Sequence, residues 1–240
     1  SEKSGRIKSV QALPATPRHC IFEWDYFCRP SSLDSINPAR SFYSVRVELG
    51  RVAARKAREQ WGKWFTPDVV IGTPLSGIPA AIGAAAELGV LYHWLMEKNP
   101  SRGRTFNVEE ALRSQYSAEK YVMIADMVAG KNVAILDDSI VRGTTMKVVI
   151  RHLRKLGAKK IYVISTFPPY LHDCYYGIDT KDPEEYIARN RTPEQVAEFL
   201  GCDGVYYQTV EDLVATVGLP ASELCLACIN GQYPHLGQAN

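Results

Sequence analysis

Two adjacent carboxylates follow an apolar run in this chain, and a short loop rich in hydroxyl groups comes directly after them. Residues 133–136 (VAIL) are typical of a strand buried in a parallel sheet. Asp137 and Asp138 follow, and an amphipathic helix is predicted over 146–156. In an open α/β sheet, ligands bind beyond the carboxyl ends of the strands, where a helix N-terminus offers unpaired N–H groups to a phosphate. The pattern therefore predicts a phosphate site.

The residue types around this loop favour a sugar phosphate and a metal ion. Gly143 allows close approach of the backbone, and the hydroxyls of Ser139, Thr144 and Thr145 are additional donors. Two carboxylates beside a phosphate suit ribose hydroxyls and a hard cation such as Mg²⁺. The alternative is a plain strand–turn–helix corner with an acidic tip, which the ordered run 133–145 disfavours.

A second loop of small residues, 71–77 (IGTPLSG), follows a predicted strand and opens a helix near Ile78. Its backbone amides are able to face an anion. Taken alone, the loop is better explained as an ordinary βα turn capped by Ser76, and its pairing with the loop at 137–145 favours the anion site. Further along, Lys98, Arg102 and Arg104 lie on a polar segment, where fixed positive charge would neutralise a departing anion. The alternative for these three is solvated surface cations.

The elements needed to position these residues form a βαβ series. An α/β fold is predicted, with one parallel sheet flanked by helices, an N-terminal arm over 1–39 and a domain over 40–240 that includes a C-terminal extension. Residues 99–128 are predicted to be irregular. Strands are predicted at 68–71, 89–94, 133–136, 160–166 and 204–207, and helices at 40–61, 77–88, 146–156, 182–200 and 210–217.

Composition excludes several classes of protein. The chain has 240 residues, 46% hydrophobic and 22% charged, which is typical of one soluble globular domain. A net charge of +2 gives no reason to expect nucleic acid or a membrane surface as partner. The apolar runs are too short for a membrane span. Six cysteines do not suggest a disulfide scaffold, so we expect a cytoplasmic, reduced protein.

The run DDSIVRGTT at 137–145 resembles the phosphoribosylpyrophosphate (PRPP) signature of type I phosphoribosyltransferases, in the form found in glutamine PRPP amidotransferases. Four more segments are similar to that family, and the resemblance runs from about Val10 to Tyr233. They are CIFEWDYFCRP at 20–30, KNPSRGRTF at 98–106, YYGID at 175–179 and CLAC at 225–228.

The resemblance implies the type I phosphoribosyltransferase fold and an Mg²⁺-dependent transfer of the phosphoribosyl group of PRPP to a nitrogen nucleophile. Asp137 and Asp138 would hold the ribose and the metal, while Ser76 and Gly77 belong to a pyrophosphate loop in which Ser76 also contacts the metal. Lys98 and Arg104 would neutralise the leaving group. Leu75 replaces an acid that is usual in the family. The 5-phosphate would be bound by Ser139, Ile140, Val141, Arg142, Gly143, Thr144 and Thr145.

The cysteine pattern is weak by itself, because Cys225-x-x-Cys228 fits zinc, redox chemistry or neither. On the resemblance, Cys20 and Cys174 complete a set of four that holds a [4Fe–4S] cluster in iron–sulfur members of the family. Such a cluster would join the N-terminal and C-terminal extensions in a structural role. Zinc and unliganded thiols are the alternatives. Cys28 and Cys202 are interpreted as ordinary thiols.

The resemblance covers no glutaminase domain, so the ammonia source and the acceptor are open. Pro100, Ser101 and the segment 117–122 depart from the family on the nucleophile's side. We therefore predict a purine-like or deazapurine-like base as acceptor, with Trp94, Tyr116 and Tyr121 as aromatic walls, although core packing also explains them. The alternatives are an ammonia-using subunit with a separate glutaminase partner, and a catalytically silent PRPP-binding regulator. A homo-oligomer is expected.

Overall fold

The computed structural model describes residues 17–98, 121–180 and 182–234 of the chain. Its strands are β1 (His19–Cys20), β2 (Val69–Gly72), β3 (Leu91–Tyr92), β4 (Met96–Lys98), β5 (Tyr121–Met123), β6 (Asn132–Asp137), β7 (Lys160–Ser165), β8 (Gly204–Tyr207) and β9 (Leu224–Cys225). Its α-helices are α1 (Phe42–Trp61), α2 (Ile78–Leu88), α3 (Thr144–Lys155), α4 (Pro193–Leu200), α5 (Val210–Val217) and α6 (Ala227–Asn230).

A five-stranded parallel sheet has the order β3-β2-β6-β7-β8. The register pairs Gly72 of β2 with Leu136 of β6, and Asp137 of β6 with Ser165 of β7. The carboxyl ends of these three strands therefore lie side by side at one edge. The prediction of a parallel α/β sheet is confirmed, and the sheet edge brings together loops that are distant in sequence.

The central strands are apolar throughout because helices cover both faces of the sheet. Along β6, Val133 and Ile135 pack into one core cluster with side chains of α3, whereas Ala134 and Leu136 pack into another with alanines of α1 and α2. This alternation follows from the two-residue period of a strand. β6 is consequently fixed on four sides, by two strands and two helical layers, and so is the position of its last residue.

The prediction of one helix over 182–200 is wrong. A 3₁₀ turn at Pro183–Glu185 and the separate helix α4 occupy this region. Thr192 caps α4, accepting a hydrogen bond from the backbone of Gln195 and donating its own backbone N–H to the Gln195 side chain. A proline disfavours helical backbone in the residue before it, and Pro193 therefore makes Thr192 a start signal inside the predicted helix.

Smaller differences concern the rim of the sheet. The strand predicted over 89–94 is reduced to Leu91–Tyr92, an edge strand that pairs only with β2 among the described residues. β5 lies within the segment 99–128 that was predicted to be irregular, and pairs antiparallel with β4. α3 begins at Thr144, two residues earlier than predicted, which places its N-terminus within the hydroxyl-rich loop.

The described part of the N-terminal arm is packed against the C-terminal extension. β1 pairs in parallel with β9, so that Cys20 stands opposite Cys225. Ile21, Phe22 and Trp24 join a core cluster with residues of α1, α5 and the segment 224–229. The two extensions are thus joined by strand pairing and apolar packing. No described helix has the length and apolar character needed to cross a membrane.

Candidate active site

Asp137 and Asp138, the acid pair, lie where β6 leaves the sheet. Asp137 accepts hydrogen bonds from the Thr73 hydroxyl and from the backbone N–H of Asp138, the latter at 3.1 Å. The Asp138 carboxylate accepts from the Ser139 hydroxyl at 3.0 Å and is also hydrogen-bonded by the Ser76 side chain. The acid pair is thereby fixed by hydroxyls from both predicted phosphate loops.

Burial raises the pKa of both carboxyls, and the charge of Asp138 raises the pKa of Asp137 further. Hydroxyl donors from Ser76 and Ser139 oppose the shift at Asp138. Two buried carboxylates in contact are relieved by a cation, and Mg²⁺ commonly uses one or two carboxylates with substrate oxygens and water as its other ligands. The acid pair with the Ser76 hydroxyl fits this pattern. The described residues contain no cluster of three or more His, Cys, Asp or Glu side chains able to hold a metal ion alone.

The loop 139–145 lines a cavity of about 470 Å³ together with the acid pair, and all seven of its predicted binding residues take part. Gly143 has φ +72°, a left-handed conformation, and is the N-cap of α3. The N-terminus of α3 therefore opens onto the cavity with unpaired N–H groups. The side chain of Ile140 is buried in the core, and Arg142 forms an ion pair with Glu185.

The second loop lines the same cavity through Thr73, Pro74 and Ser76. Gly77, predicted to bind substrate, is not among the lining residues. A Cβ atom at Gly77 would stand 2.4 Å from the carbonyl oxygen of Leu136. The structure thus gives Gly77 a packing role, because it lets the second loop lie against the end of β6.

Of the three cations predicted to neutralise the leaving group, the structure describes only the backbone of Lys98. Lys98 is the last residue of β4, and its side chain lies outside the described part of the chain. Arg102 and Arg104 also lie outside the described residues, as does Tyr116. Their roles therefore stay predictions.

An aromatic wall, formed by Phe22, Tyr26 and Phe27 of the N-terminal arm, closes one side of the cavity, with Tyr170 and Ile178 beside it. This wall was not predicted from the sequence. Of the aromatic residues predicted instead, Trp94 is 59% exposed and does not line the cavity. The available signal was the family-like segment at 20–30, in which only Cys20 had been assigned a function.

The four predicted cysteines are brought together. Cys20, Cys174, Cys225 and Cys228 line a second cavity of about 430 Å³, the cysteine cavity. Phe27 and Ile178 line both cavities and therefore lie between them.

Burial raises the pKa of Cys20 to about 11, and the other three thiols contribute to raising the pKa of Cys228. Thiols are the donor type of a soft metal centre, but the described side chains form no group of three or more that is positioned to hold a metal ion. Cys28 donates a hydrogen bond to Glu23, and Cys202 lines a separate groove.

Residues 46–203 match the model of the phosphoribosyl transferase domain. The chain belongs to this family. Its parallel sheet flanked by helices is the type I phosphoribosyltransferase fold, as the sequence predicted. The acid pair and both phosphate loops lie within the matched range, whereas the aromatic wall and Cys225 and Cys228 lie outside it.

The phosphoribosyl transferase domain is similar to several amidophosphoribosyltransferases. It is 38% identical to that of Synechococcus elongatus over 91% of this chain and 43% of the relative, and 37% identical to that of Archaeoglobus fulgidus over 97% and 50%. The structure of glutamine PRPP amidotransferase from B. subtilis, complexed with ADP and GMP, superposes with a TM-score of 0.79 at 36% identity, covering 93% of this chain and 48% of that one. The chain spans about half the length of these relatives.

Proposed function

We propose that this chain transfers the phosphoribosyl group of PRPP to a nitrogen nucleophile with release of pyrophosphate. The main observation in support of this proposal is that the acid pair and both phosphate loops line one cavity at the carboxyl edge of the sheet. The 470 Å³ of that cavity lies within the range of small-molecule sites, roughly 300–1,000 Å³. Relatives named amidophosphoribosyltransferase over nearly the whole chain support the same reaction class.

Each loop has a distinct task in this proposal. The loop 139–145 and the N-terminus of α3 bind the 5-phosphate, because helix N–H groups and hydroxyls favour an anion there. The acid pair holds the ribose hydroxyls. The second loop, through Ser76, holds the pyrophosphate group. Lys98 and Arg104 neutralise the negative charge that develops on pyrophosphate as it leaves.

In the reaction, the nitrogen forms a bond to ribose C1 while the bond from C1 to the pyrophosphate oxygen breaks, and its electron pair leaves with pyrophosphate. The nitrogen then loses a proton to solvent. The acid pair and the Ser76 hydroxyl would hold Mg²⁺, which would supply positive charge against the departing pyrophosphate. The protein itself supplies positioning and fixed charge, since the transition state carries positive charge at the sugar ring.

Ammonia is the acceptor that the relatives favour, with phosphoribosylamine as the product. Its source would be a glutaminase outside the residues of this chain, as a further part of the same protein or as a separate subunit. The aromatic wall suits ammonia, because apolar ring surface beside the reaction centre disfavours the water that competes for ribose C1.

A purine-like or deazapurine-like base is the second candidate acceptor. The observation in its favour is the same aromatic wall, since rings of Phe22, Tyr26 and Phe27 offer faces and edges on which a flat base would pack. The departures at Pro100 and Ser101 fall on the nucleophile's side of the site on the resemblance, and lie outside the described residues.

One experiment separates these candidates. Purified protein with Mg²⁺ and PRPP is supplied with ammonium chloride or with a panel of purine and deazapurine bases, and pyrophosphate release and product mass are measured. Phosphoribosylamine formation with no base consumed supports ammonia, and a nucleotide product supports a base. PRPP binding without turnover under all conditions contradicts transfer and supports the regulator.

A [4Fe–4S] cluster in the cysteine cavity is part of the proposal. Four thiols around one cavity supply the ligand number that such a cluster requires. A single zinc ion would require the four sulfurs within about 4 Å of one another, given zinc–sulfur distances of about 2.3 Å. Metal and sulfide analysis of the purified protein distinguishes the two centres. Its role would be structural, holding the arm to the C-terminal extension.

A further inference from the structure

Asp25 is a buried acid directly behind the acid pair. It lies in the π-helical turn Glu23–Phe27, whose neighbouring residues Tyr26 and Phe27 form part of the aromatic wall. Asp25 itself does not line the cavity and is only 1% exposed. Its Oδ1 atom accepts a hydrogen bond of 2.8 Å from the Thr166 hydroxyl. The carboxyl thus points away from solvent and toward the end of β7.

Thr166 connects Asp25 to the backbone of the acid pair. Its N–H donates to the carbonyl oxygen of Asp137 at 3.0 Å. The neighbouring Ser165 hydroxyl donates to the carbonyl oxygen of Phe167 at 2.8 Å and lies 3.2 Å from that of Asp138. The Thr166 hydroxyl oxygen also lies 3.4 Å and 3.5 Å from the carbonyl oxygens of Asp137 and Asp138. A hydroxyl has one proton, and the shortest of the three contacts is to Asp25. Asp25 therefore determines the direction in which Thr166 donates.

The fold retains this carboxyl at a cost in folding free energy. The Oδ2 atom of Asp25 is buried and has no hydrogen-bond partner among the described residues. An unpaired buried acceptor is destabilising, and an apolar side chain of similar size would avoid the penalty. Arg46 interacts with the Asp25 carboxyl only electrostatically, without a hydrogen bond. Its guanidinium donates to the carbonyl oxygens of Trp24 and Cys28 instead. A costly buried group beside a functional site calls for a functional explanation.

We propose that Asp25 is a positioning residue for the acid pair. By accepting a hydrogen bond from the Thr166 hydroxyl, it holds the end of β7 in the place from which the Thr166 N–H fixes the backbone of Asp137. The inference rests on the proposed function, because the acid pair is assumed to bind PRPP. On this proposal, the N-terminal arm contributes a residue that positions the acid pair.

The test compares Asp25→Asn, Asp25→Leu, Thr166→Val and the double variant Asp25→Leu/Thr166→Val by kcat, KM for PRPP and melting temperature. Asp25→Leu and Thr166→Val are each expected to lower kcat/KM roughly 10-fold, since small displacements of reacting groups cost up to about 10²-fold. The double variant should be no worse than either single variant, because both remove one connection. Asp25→Asn keeps an acceptor for Thr166 and should stay within about 3-fold of the wild type.

Asp25→Leu should melt at or above the wild-type temperature, which separates positioning from a structural role. The matched control is Asp203→Asn, whose carboxylate pairs with Arg154 far from the site and should affect only stability. Wild-type kinetics in Asp25→Leu, additive losses in the double variant, or an Asp25→Asn loss as large as that of Asp25→Leu would each overturn the proposal. A wild-type protein that binds PRPP without turnover would contradict the proposed function alone, and PRPP affinity by calorimetry would then test Asp25.

Discussion

The hydroxyl of Thr73 donates a hydrogen bond to the carboxylate of Asp137, 64 residues further along the chain. Thr73 follows β2, and Asp137 ends β6. The backbone N–H of Thr73 also donates to the carbonyl oxygen of Leu136 at 3.0 Å. The two phosphate loops are therefore joined at their bases. This contact places the predicted pyrophosphate loop and the predicted ribose and 5-phosphate loop around a single cavity.

Replacing either acid of the pair is expected to stop catalysis without harming the fold. Asp137→Asn and Asp138→Asn should each lower the rate of pyrophosphate release by about 10²-fold or more, the scale of one lost charge-stabilising contact. Asparagine keeps the shape and removes the repulsion between two buried carboxylates, so the melting temperature should not fall. Near-normal rates in both variants at saturating Mg²⁺ would show that the acids are not in the reaction site.

The acid pair also predicts a pH dependence of stability in metal-free protein. The pKa of each carboxyl is raised in the folded state above its ordinary value of 3.8, mainly by burial. The folded protein then holds protons that the unfolded chain releases, so the stability that these groups contribute is complete below about pH 4 and is lost as the pH rises through the raised values.

The melting temperature of Asp138→Asn relative to wild type should therefore increase from about pH 4 to about pH 8 in EDTA. Differential scanning fluorimetry measures both proteins in the same buffers. Adding Mg²⁺ with PRPP should stabilise the wild type more than the variant. A difference in melting temperature that stays constant across the pH range would mean that the two carboxyls do not have raised pKa values in the folded protein.

Gly143 in the phosphate loop should tolerate no side chain. Gly143→Ala places a Cβ atom at φ +72°, 2.6 Å from the Ile187 Cδ1 atom and 3.1 Å from the Leu200 Cδ2 atom. We expect a loss of roughly 1–2 kcal/mol from the left-handed conformation and about 1 kcal/mol or more from overpacking. KM for PRPP should rise because alanine disfavours the left-handed backbone that shapes the loop.

Gly130→Ala is the matched control, since Gly130 also has φ +72° but no atom stands within 4 Å of the added Cβ. It should show only the conformational loss of stability, with an unchanged KM. Chemical denaturation and steady-state kinetics on both variants measure these effects. Equal KM values for the two variants would contradict the prediction that the loop around Gly143 binds the phosphate of PRPP.

Anaerobically purified protein is expected to be brown and to contain about four irons and four sulfides, as a [4Fe–4S] cluster requires. Cys225→Ser and Cys228→Ser should lose the colour and much of the soluble yield, because the cysteine cavity joins the arm to the C-terminal extension. Cys202→Ser, outside that cavity, should keep both. Colourless protein with one equivalent of zinc would replace the cluster by a tetrahedral Cys₄ site.

The sequence alone located the acid pair, the loop 139–145 and the N-terminus of the following helix. These features are contiguous, and a strand, a turn and a helix in this order leave little freedom to the residues at their junctions. The second loop was also found, because its strand and helix are adjacent in the chain. The prediction failed at 182–200 because a local helix start signal at Thr192, followed by Pro193, was overlooked within an otherwise helical pattern.

Only the tertiary structure decided which distant residues complete the site. The register between β2 and β6 brings Thr73 to Asp137, and the packing of the arm on α1 and the C-terminal extension brings the aromatic wall to the cavity and Asp25 to Thr166. It also showed that Gly77 spaces two loops, and that Phe27 and Ile178 separate two cavities. These relationships depend on hydrogen-bond register and on the burial of apolar surface between remote segments, which no local pattern of residues encodes.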